Sequence, residues 1–224
     1  MVITLLIWIC KKYLLPRARR ISLSLNGWPA RRNVWLLAFV LLACPAAAQH
    51  RQLLYRVMQN GNEIGRMRLD QKQENDDLYI HLSSEVKVRF LFSVVVNMEE
   101  SSHYRDGKLL RSNVNHKVNN KEKAVRCTMA SGRGYQTSAE GRNSSIGMDR
   151  IEYNVMLLYS REPVNATQIY SDNFQQFLNI RKAGSHSYRI DLPDGNYNTY
   201  SFNNGICNRV EIHHTLYTVE MILI

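Results

Sequence analysis

The sequence predicts a mostly β protein in which a curved antiparallel meander of about 10–11 strands, an open or half barrel, wraps around one helix at about residues 149–161. Turn-forming pairs such as Asn60-Gly61 recur between apolar stretches, and they supply the positive backbone angles that tight hairpins need. Residues 78–88 alternate apolar and polar side chains, which is the pattern of a strand with one buried face. Because such a sheet curls, its concave wall has to be filled, and we expect the helix to fill it.

The first part of the chain indicates an export signal. Arg31 and Arg32 precede an apolar run at 34–43, which is shorter than the roughly 20 residues that span a bilayer. The Ala-Ala-Ala sequence at 46–48 matches the small residues of a signal peptidase site. We therefore expect residues 1–48 to be an N-terminal extension and signal peptide.

A second processing site overlaps the first. Residues 41–44, Leu-Leu-Ala-Cys, resemble a lipobox, in which Cys44 would carry a lipid and anchor the protein to a membrane. Signal peptidase cleavage and lipoprotein processing are therefore both open alternatives. In either case we expect residues 49–224 to form a single antiparallel β domain, which is long enough for a full hydrophobic core.

The net charge of +10 is concentrated in the signal region. Residues 1–48 contain seven Lys and Arg and no acidic residue, which leaves the rest of the chain with a charge of about +3. That remainder contains no Lys/Arg run and no recognisable nucleic-acid-binding motif. We therefore expect no nucleic acid partner.

Two cysteines, Cys127 and Cys207, belong to the predicted β domain and lie in separate strand candidates. In an oxidising compartment they could pair, although burial as ordinary apolar side chains is the favoured alternative. The chain has no Cys-x-x-Cys pair and no Cys/His spacing typical of a metal site. We expect neither a metal nor a cofactor.

The predicted strands follow one another between turn signals. In order they are 53–58, 63–73, 78–88 with its apolar continuation at 89–98, 109–118, 124–130, 135–139, 166–170, 188–192, 198–202, 206–214 and 215–223. The continuation at 89–98 is almost entirely apolar, so we expect it to be covered on both faces or to bend, and to lie against the helix. Residues 141–147 are predicted to be a flexible polar connection, and 173–180 are ambiguous between helix and strand.

The helix at 149–161 is predicted from the spacing of its apolar residues. The residues within about a quarter turn of a helical wheel are Met148, Ile151, Val155, Leu158 and Tyr159. Asp149 and Glu152 have the spacing of a capping box, and Pro163 prevents the helix from continuing. We expect this helix to be buried on more than one side.

Residues that could carry chemistry occur in unfavourable arrangements. His213 and His214 are adjacent in a predicted strand, so they point to opposite faces and cannot hold one metal ion together. Glu99, Glu100 and His103 would share a face only on a helix, and they lie in a strand-like stretch. The sequence also contains no nucleophile elbow and no phosphate-binding loop. An enzymatic activity is therefore the least favoured class of function.

Several stretches of the chain carry a family resemblance. They are YRVMQNGNEIGRMRL, SEVKVRFLFSVVVNMEES, YRDGKLLRSNV, SGRGYQ, IEYNVMLLYSREP, IDLPDGNYNTY and NGICNRVEIHHTL. Together they resemble an uncharacterised domain-of-unknown-function family of exported proteins from Gram-negative bacteria, with a looser likeness to lipoprotein-carrier and lipocalin-like half barrels. The resemblance implies a periplasmic or outer-membrane-associated location and no known activity. Among the residues that recur in this family, Gly65 is interpreted as a turn former and Tyr159 as a core aromatic residue.

Two functions fit these expectations best. The first is an envelope protein that binds a lipid-like or amphipathic ligand in an apolar groove between curved sheet and helix. The predicted groove lining is Phe90, Phe92, Val94, Val96, Leu158, Phe174 and Phe177. The alternative is a structural or protein-interaction module of the envelope, in which the same residues fill the core and the partner is another envelope protein.

Overall fold

The computed structural model describes residues 49–89 and 93–224, and the predicted signal segment with Cys44 lies outside this range. Within it the chain forms fourteen strands. They are β1 (Gln49–Gln59), β2 (Asn62–Glu74), β3 (Asp77–Arg89), β4 (Ser93–Arg105), β5 (Lys108–Val118), β6 (Lys121–Ser131), β7 (Gly134–Ala139), β8 (Arg142–Ile146), β9 (Gln168–Ser171), β10 (Gln176–Gly184), β11 (Ser187–Asp191), β12 (Tyr197–Asn203), β13 (Ile206–His214) and β14 (Tyr217–Leu223).

All fourteen strands belong to one sheet, in the order β8-β7-β6-β5-β4-β3-β2-β1-β14-β13-β12-β11-β10-β9. Each paired strand runs antiparallel to its neighbour, so two meanders, β1–β8 and β9–β14, are joined through the pairing of β1 with β14. The described strands leave the sheet unclosed, with β8 and β9 at its two edges. The predicted antiparallel meander is confirmed, and the predicted number of strands was too low.

Two of the additional strands form in stretches that the sequence did not assign to a strand. Residues 142–146 were expected to be a flexible connection, yet they form β8 through backbone pairing with β7. Four of the five β8 residues are exposed, so this strand has no apolar alternation by which it could be recognised. The ambiguous stretch at 173–180 likewise resolves into a turn followed by β10.

The hairpins close where turn-forming residues predict them. Asn60 has a φ of 50° and Asp106 has a φ of 51°, and each is followed by a glycine that also has a positive φ. Residues with short polar side chains and glycine adopt this left-handed conformation at the lowest cost. Turn chemistry therefore sets the register of the strand pairs on either side.

Tyrosines dominate the buried interior. Tyr55, Tyr104, Tyr135, Tyr170 and Tyr200 are among the largest side chains that are almost fully buried. The Tyr55 hydroxyl donates to the backbone oxygen of Cys207 at 2.6 Å, and its ring meets the Tyr159 ring edge to face. Cys127 and Cys207 are both free thiols, and Cys207 is buried. The predicted burial therefore describes Cys207, whereas Cys127 is only partly buried.

The predicted helix at 149–161 is wrong. The segment between β8 and β9, residues 147–167, is called the connecting segment here, and its helical part is a single 3-10 turn at Val155–Tyr159. The cap is Asn154, whose side chain accepts from the Leu157 amide at 3.1 Å, rather than Asp149.

Hydrogen bonds to the sheet explain why the first part of the connecting segment is not helical. Ile151 donates its amide to the Tyr135 hydroxyl and accepts from the Leu109 amide, both at 2.9 Å. The Tyr170 amide donates to the Tyr153 oxygen at 2.9 Å. These tertiary bonds take the groups that an α-helix would have used. The predicted burial of Ile151 and Leu158 is nevertheless confirmed, whereas Met148 is exposed.

Side chains connect the edge strand β9 and the turn after it to β6 and β7, which lie near the other edge of the sheet. The Thr128 hydroxyl on β6 lies 2.9 Å from the Tyr170 hydroxyl on β9. In the turn after β9, the Gln175 amide donates to the backbone oxygens of Cys127 and Ser138. The curved sheet is therefore held together across its gap by polar side chains rather than by a backbone ladder.

Candidate functional site

The concave face of the sheet has one end that the core does not cover completely. Five valines lie there, namely Val86, Val88, Val94, Val96 and Val118. Val96 lies directly opposite Val86 on one side and Val118 on the other, and Val94 lies opposite Val88. Directly opposite residues share a face of an antiparallel pair, and Val86 packs against the core. These half-buried valines therefore form one apolar surface, called the valine face here.

A hydrogen-bonded Glu–His pair lies on the same concave surface, next to the valine face. His116 Nε2 is 2.7 Å from Glu100 Oε1, and the two side chains are only 18% and 13% exposed. Glu100 follows Val96 by four residues along β4, so both point to the concave side. An apolar wall with a partly buried, hydrogen-bonding polar pair at its end can hold a molecule with an apolar chain and a polar head.

The sequence had placed Glu100 in a hypothetical metal set with Glu99 and His103. In the structure His103 pairs with Asp77 at 2.6 Å on the convex face, away from Glu100. His213 lies beside Glu211, 3.3 Å away, and stacks on Tyr197. Within the part of the chain that the structure describes, no group of three or more His, Cys, Asp or Glu could hold a metal ion.

A row of buried hydroxyls crosses the other half of the concave face. Ser102, Ser112, Thr128 and Thr137 lie side by side on β4, β5, β6 and β7, each directly opposite the next. All four are buried. Such a row needs hydrogen-bonding partners in an apolar interior, and the connecting segment supplies some of them.

Asn154 and Asp172 are the connecting groups at this hydroxyl row. Asn154 Nδ2 donates to Ser102 Oγ and to Asp172 Oδ2, both at 2.8 Å. Burial, together with the negative charge of Glu100, raises the pKa of Asp172 to about 7 against the opposing effect of the Ser112 hydroxyl and the Asn154 amide. This carboxyl is therefore a buried group that titrates near neutral pH.

Two cavities flank the connecting segment. A groove of about 600 Å³ is lined by residues that include Arg150, Tyr153, Val164 and Phe177. A second cavity of about 240 Å³ has Tyr104 and Leu157 among its lining residues, with Asp76, Asp106, Glu152 and Arg161. Both cavities have mixed polar and apolar walls, unlike the uniformly apolar valine face.

The structure distributes the predicted groove residues over separate regions. Phe90 and Phe92 lie outside the described residues. Val94 and Val96 belong to the valine face, whereas Leu158 is fully buried in the core. Phe174 and Phe177 pack against the core near the β9 edge, and Phe177 also lines the larger groove.

Sequence reasoning did not identify Asn154, Asp172 or the hydroxyl row. Serine and threonine are mostly exposed residues, so their alternation along a strand gives no sign of a buried face. Asn154 lay inside the predicted helix, whereas in the structure it caps a 3-10 turn that begins at the next residue. The described residues include no helix long and apolar enough to cross a membrane.

Comparison with solved structures supports the architecture. The chain is similar to a beta-barrel-like protein of the domain of unknown function DUF1849 from Brucella abortus, with a TM-score of 0.50 and 8% sequence identity. The similarity covers 79% of this chain and 96% of the other. At this identity the likeness shows a common fold and nothing about function.

Comparison at the sequence level places the chain in a family. No curated protein matches it. A family model described as a domain of unknown function, DUF6134, matches residues 55–224, which include all of β2 to β14. The resemblance to an uncharacterised β-rich family is thereby confirmed, and the chain belongs to the DUF6134 family.

Proposed function

We propose that the protein is an exported cell-envelope protein that binds a lipid-like or amphipathic ligand on the valine face. Export rests on the signal features of residues 1–48, which include the apolar run at 34–43. Ligand binding rests on one observation, the incomplete burial of five adjacent valines on a concave surface. A Gram-negative periplasm or outer membrane is the location that this proposal implies.

The valine face has the properties of an apolar binding surface. Apolar area that stays exposed costs about 25 cal/mol per Å², so a cluster of half-buried valines gains stability when a ligand covers it. A bound alkyl chain supplies this cover without requiring any hydrogen bond from the wall. The strands beneath are rigid because β3, β4 and β5 pair along most of their lengths.

The Glu100–His116 pair favours a ligand that is amphipathic rather than purely apolar. Both side chains retain some solvent exposure, so they can accept or donate a hydrogen bond to a head group. A purely apolar ligand lying over this pair would remove water from a carboxyl and an imidazole without replacing its hydrogen bonds.

Binding can be tested with the full chain expressed in a Gram-negative host and purified from the cell envelope. We expect native mass spectrometry to show co-purified lipid, and dansyl-labelled undecanoic acid to gain fluorescence on binding. Val96→Asp should weaken probe binding at least tenfold, because it places a charge in the wall. The matched control is Val125→Asp, since Val125 is 47% exposed on the convex face. Equal binding by both variants would contradict the proposal.

Export can be tested by the intact mass of the same preparation. Cleavage after Ala48 predicts a mature protein that begins at Gln49. Lipoprotein processing predicts instead a chain that begins at a lipid-modified Cys44. An uncleaved chain recovered from the cytoplasm would contradict export.

A structural or protein-interaction module is the second candidate, and a specific observation favours it. The 3-10 turn and its neighbours already fill the middle of the concave face, where Met156, Leu157 and Leu158 are almost completely buried. If envelope-purified protein carries no lipid and does not bind the probe, chemical crosslinking in cells should recover one envelope protein partner. That pair of results would favour the second candidate over the first.

A further inference from the structure

One buried side chain ties the connecting segment to the sheet. Asn154 bonds through Nδ2 to Ser102 on β4 and to Asp172 in the turn after β9. Through Oδ1 it accepts from the Leu157 amide and so caps the 3-10 turn. Asn154 is completely buried, which means that water cannot replace these bonds while the segment is closed. The position of the 3-10 turn therefore depends on the Asn154 contacts.

Asp172 is an unusual partner for this asparagine. It is 3% exposed, and its Oδ1 atom makes no hydrogen bond within the described part of the chain. The titratable groups that act on it are Glu100 and Tyr104 on β4, His116 on β5 through its bond to Glu100, and Tyr170 on β9. On the β6 side, Arg126 is bonded to the adjacent Asn173 and is also near Glu140.

These surroundings accommodate a neutral carboxyl better than a charged one. The Asn154 amide and the Ser112 hydroxyl favour an ionised carboxyl, but burial and the negative charge of Glu100 outweigh them, so the closed site holds the neutral form. An ionised carboxyl would place a second negative charge near Glu100 in a buried site, with one oxygen unpaired. Because Asp172 is only 3% exposed, water can solvate that charge only when the connecting segment moves away from it.

We propose that the Asp172–Asn154 contact is a proton-operated latch, which holds the connecting segment closed while Asp172 is neutral and releases it when Asp172 ionises. The release is local. Ile151 remains fixed by its bonds to Tyr135 and Leu109, so the moving part is the 3-10 turn after it.

Opening the latch changes the cavity of about 240 Å³. Leu157 and Tyr104 both line that cavity, and the Leu157 amide is held by Asn154. When the turn moves away, the cavity gains access to the hydroxyl row at Ser102. The latch therefore controls whether a polar molecule from solvent can reach the buried hydroxyls.

The direction of the pH effect follows from the pKa of Asp172. Closed, the carboxyl has a pKa of about 7, and an open, solvated aspartate has its ordinary value of 3.8. Between these two pH values the closed state binds more protons than the open state. The equilibrium constant for closing therefore falls as pH rises, by up to about tenfold per pH unit. Above pH 7 both states are ionised and the dependence ends.

Amide hydrogen exchange measures this opening in the full chain. The Leu157 and Ser160 amides report it, since both are hydrogen-bonded within the 3-10 turn. After correction for the intrinsic pH dependence of exchange, opening should increase on the order of a hundredfold between pH 5 and pH 7.5. In Asp172→Asn we expect less than a threefold change. A pH-independent rate in the unaltered protein would overturn the latch.

A matched variant and a direct titration complete the test. Asp191→Asn alters an exposed carboxyl that is paired with Arg181 and Arg189, and it should keep the full pH dependence at Leu157. If Asp172→Asn also keeps the full pH dependence of exchange at Leu157, the latch proposal is overturned. A carbon-13 NMR titration of the Asp172 carboxyl in the unaltered protein should have its midpoint near 7. A midpoint below 5 would overturn the proposal without any variant.

Discussion

The connecting segment and the valine face are both rich in apolar residues, yet the fold uses them in opposite ways. The valine face belongs to regular strands that are paired on both sides, and it remains half-buried. The connecting segment has a single 3-10 turn as its regular structure, and Leu158 within it is 0% exposed. Regular backbone structure and deep burial are therefore independent properties in this molecule.

The two regions are also stabilised differently. On the valine face, the backbone ladder of β3, β4 and β5 holds the strands in place, and each half-buried side chain adds little. In the connecting segment stability is concentrated in a few side chains, because the 3-10 turn has few backbone bonds of its own. Substitutions should therefore cost much more in the connecting segment than on the valine face.

The largest effect is expected for Leu158→Ala. Removing a fully buried leucine leaves a cavity that the surrounding tyrosines cannot fill, and we expect a loss of about 4 kcal/mol in the free energy of unfolding. Denaturant unfolding monitored by circular dichroism measures it. Leu216→Ala is the control, because the same substitution at a side chain that is 84% exposed should change stability by less than about 0.5 kcal/mol. Similar losses in both variants would contradict the comparison.

The same contrast explains what could be predicted from the sequence. Strand periodicity and turn pairs are local, so they correctly predicted most of the hairpins, including those at Asn60 and Asp106. The connecting segment has helical spacing, but its backbone groups bond to β5 and β9, which are distant in sequence. A local pattern carries no information about such partners, and the predicted helix failed for this reason.

The candidate site was predictable to the same extent, from local patterns but not from contacts between distant parts of the chain. Val94 and Val96 were predicted as ligand-contacting residues from their place in an apolar strand, and that assignment stays a prediction. Asp172 could not be found because its significance arises from burial beside Asn154 and Glu100, which come from other parts of the chain. The pairing of β1 with β14 was unpredicted for the same reason.

Gly65→Ala is expected to be an exception to this contrast, because it should be costly although Gly65 lies in a regular strand. Gly65 was expected to be a turn former, but it lies within β2, where an added Cβ would be 2.2 Å from the Glu85 oxygen. The β2–β3 pair would have to separate locally, and we expect a loss of about 3 kcal/mol in unfolding free energy. Gly184→Ala is the matched control, since its nearest contact would be an ordinary 3.6 Å. Equal stability of the two variants would show that β2 can shift without cost.

Asp172→Asn sharpens the comparison because its effect should depend on pH. The pKa of Asp172 is about 7 in the folded protein and 3.8 in the unfolded chain, so folding favours the protonated form of Asp172. The free energy of unfolding therefore decreases as pH rises from about 4 to about 7. An amide cannot ionise, and we expect the variant to be more stable than the unaltered protein by about 2 kcal/mol at pH 6. At pH 4 the two should be nearly equal. Urea unfolding at both pH values measures the difference, and a constant difference would contradict the assignment.

Val96→Ala should have the smallest effect of the four. Val96 is half-buried and sits in a strand paired on both sides, so removing two methyl groups should cost about 1 kcal/mol or less in unfolding free energy. If an amphipathic ligand covers the valine face, the same substitution should cost more when the dansyl-labelled probe is present, because stabilisation by a ligand follows its affinity. Val125→Ala on the convex face should show no such increase. A large loss in unfolding free energy for Val96→Ala that the probe does not change would contradict ligand binding. It would mean that the valine face is part of the buried core, like the region around Leu158.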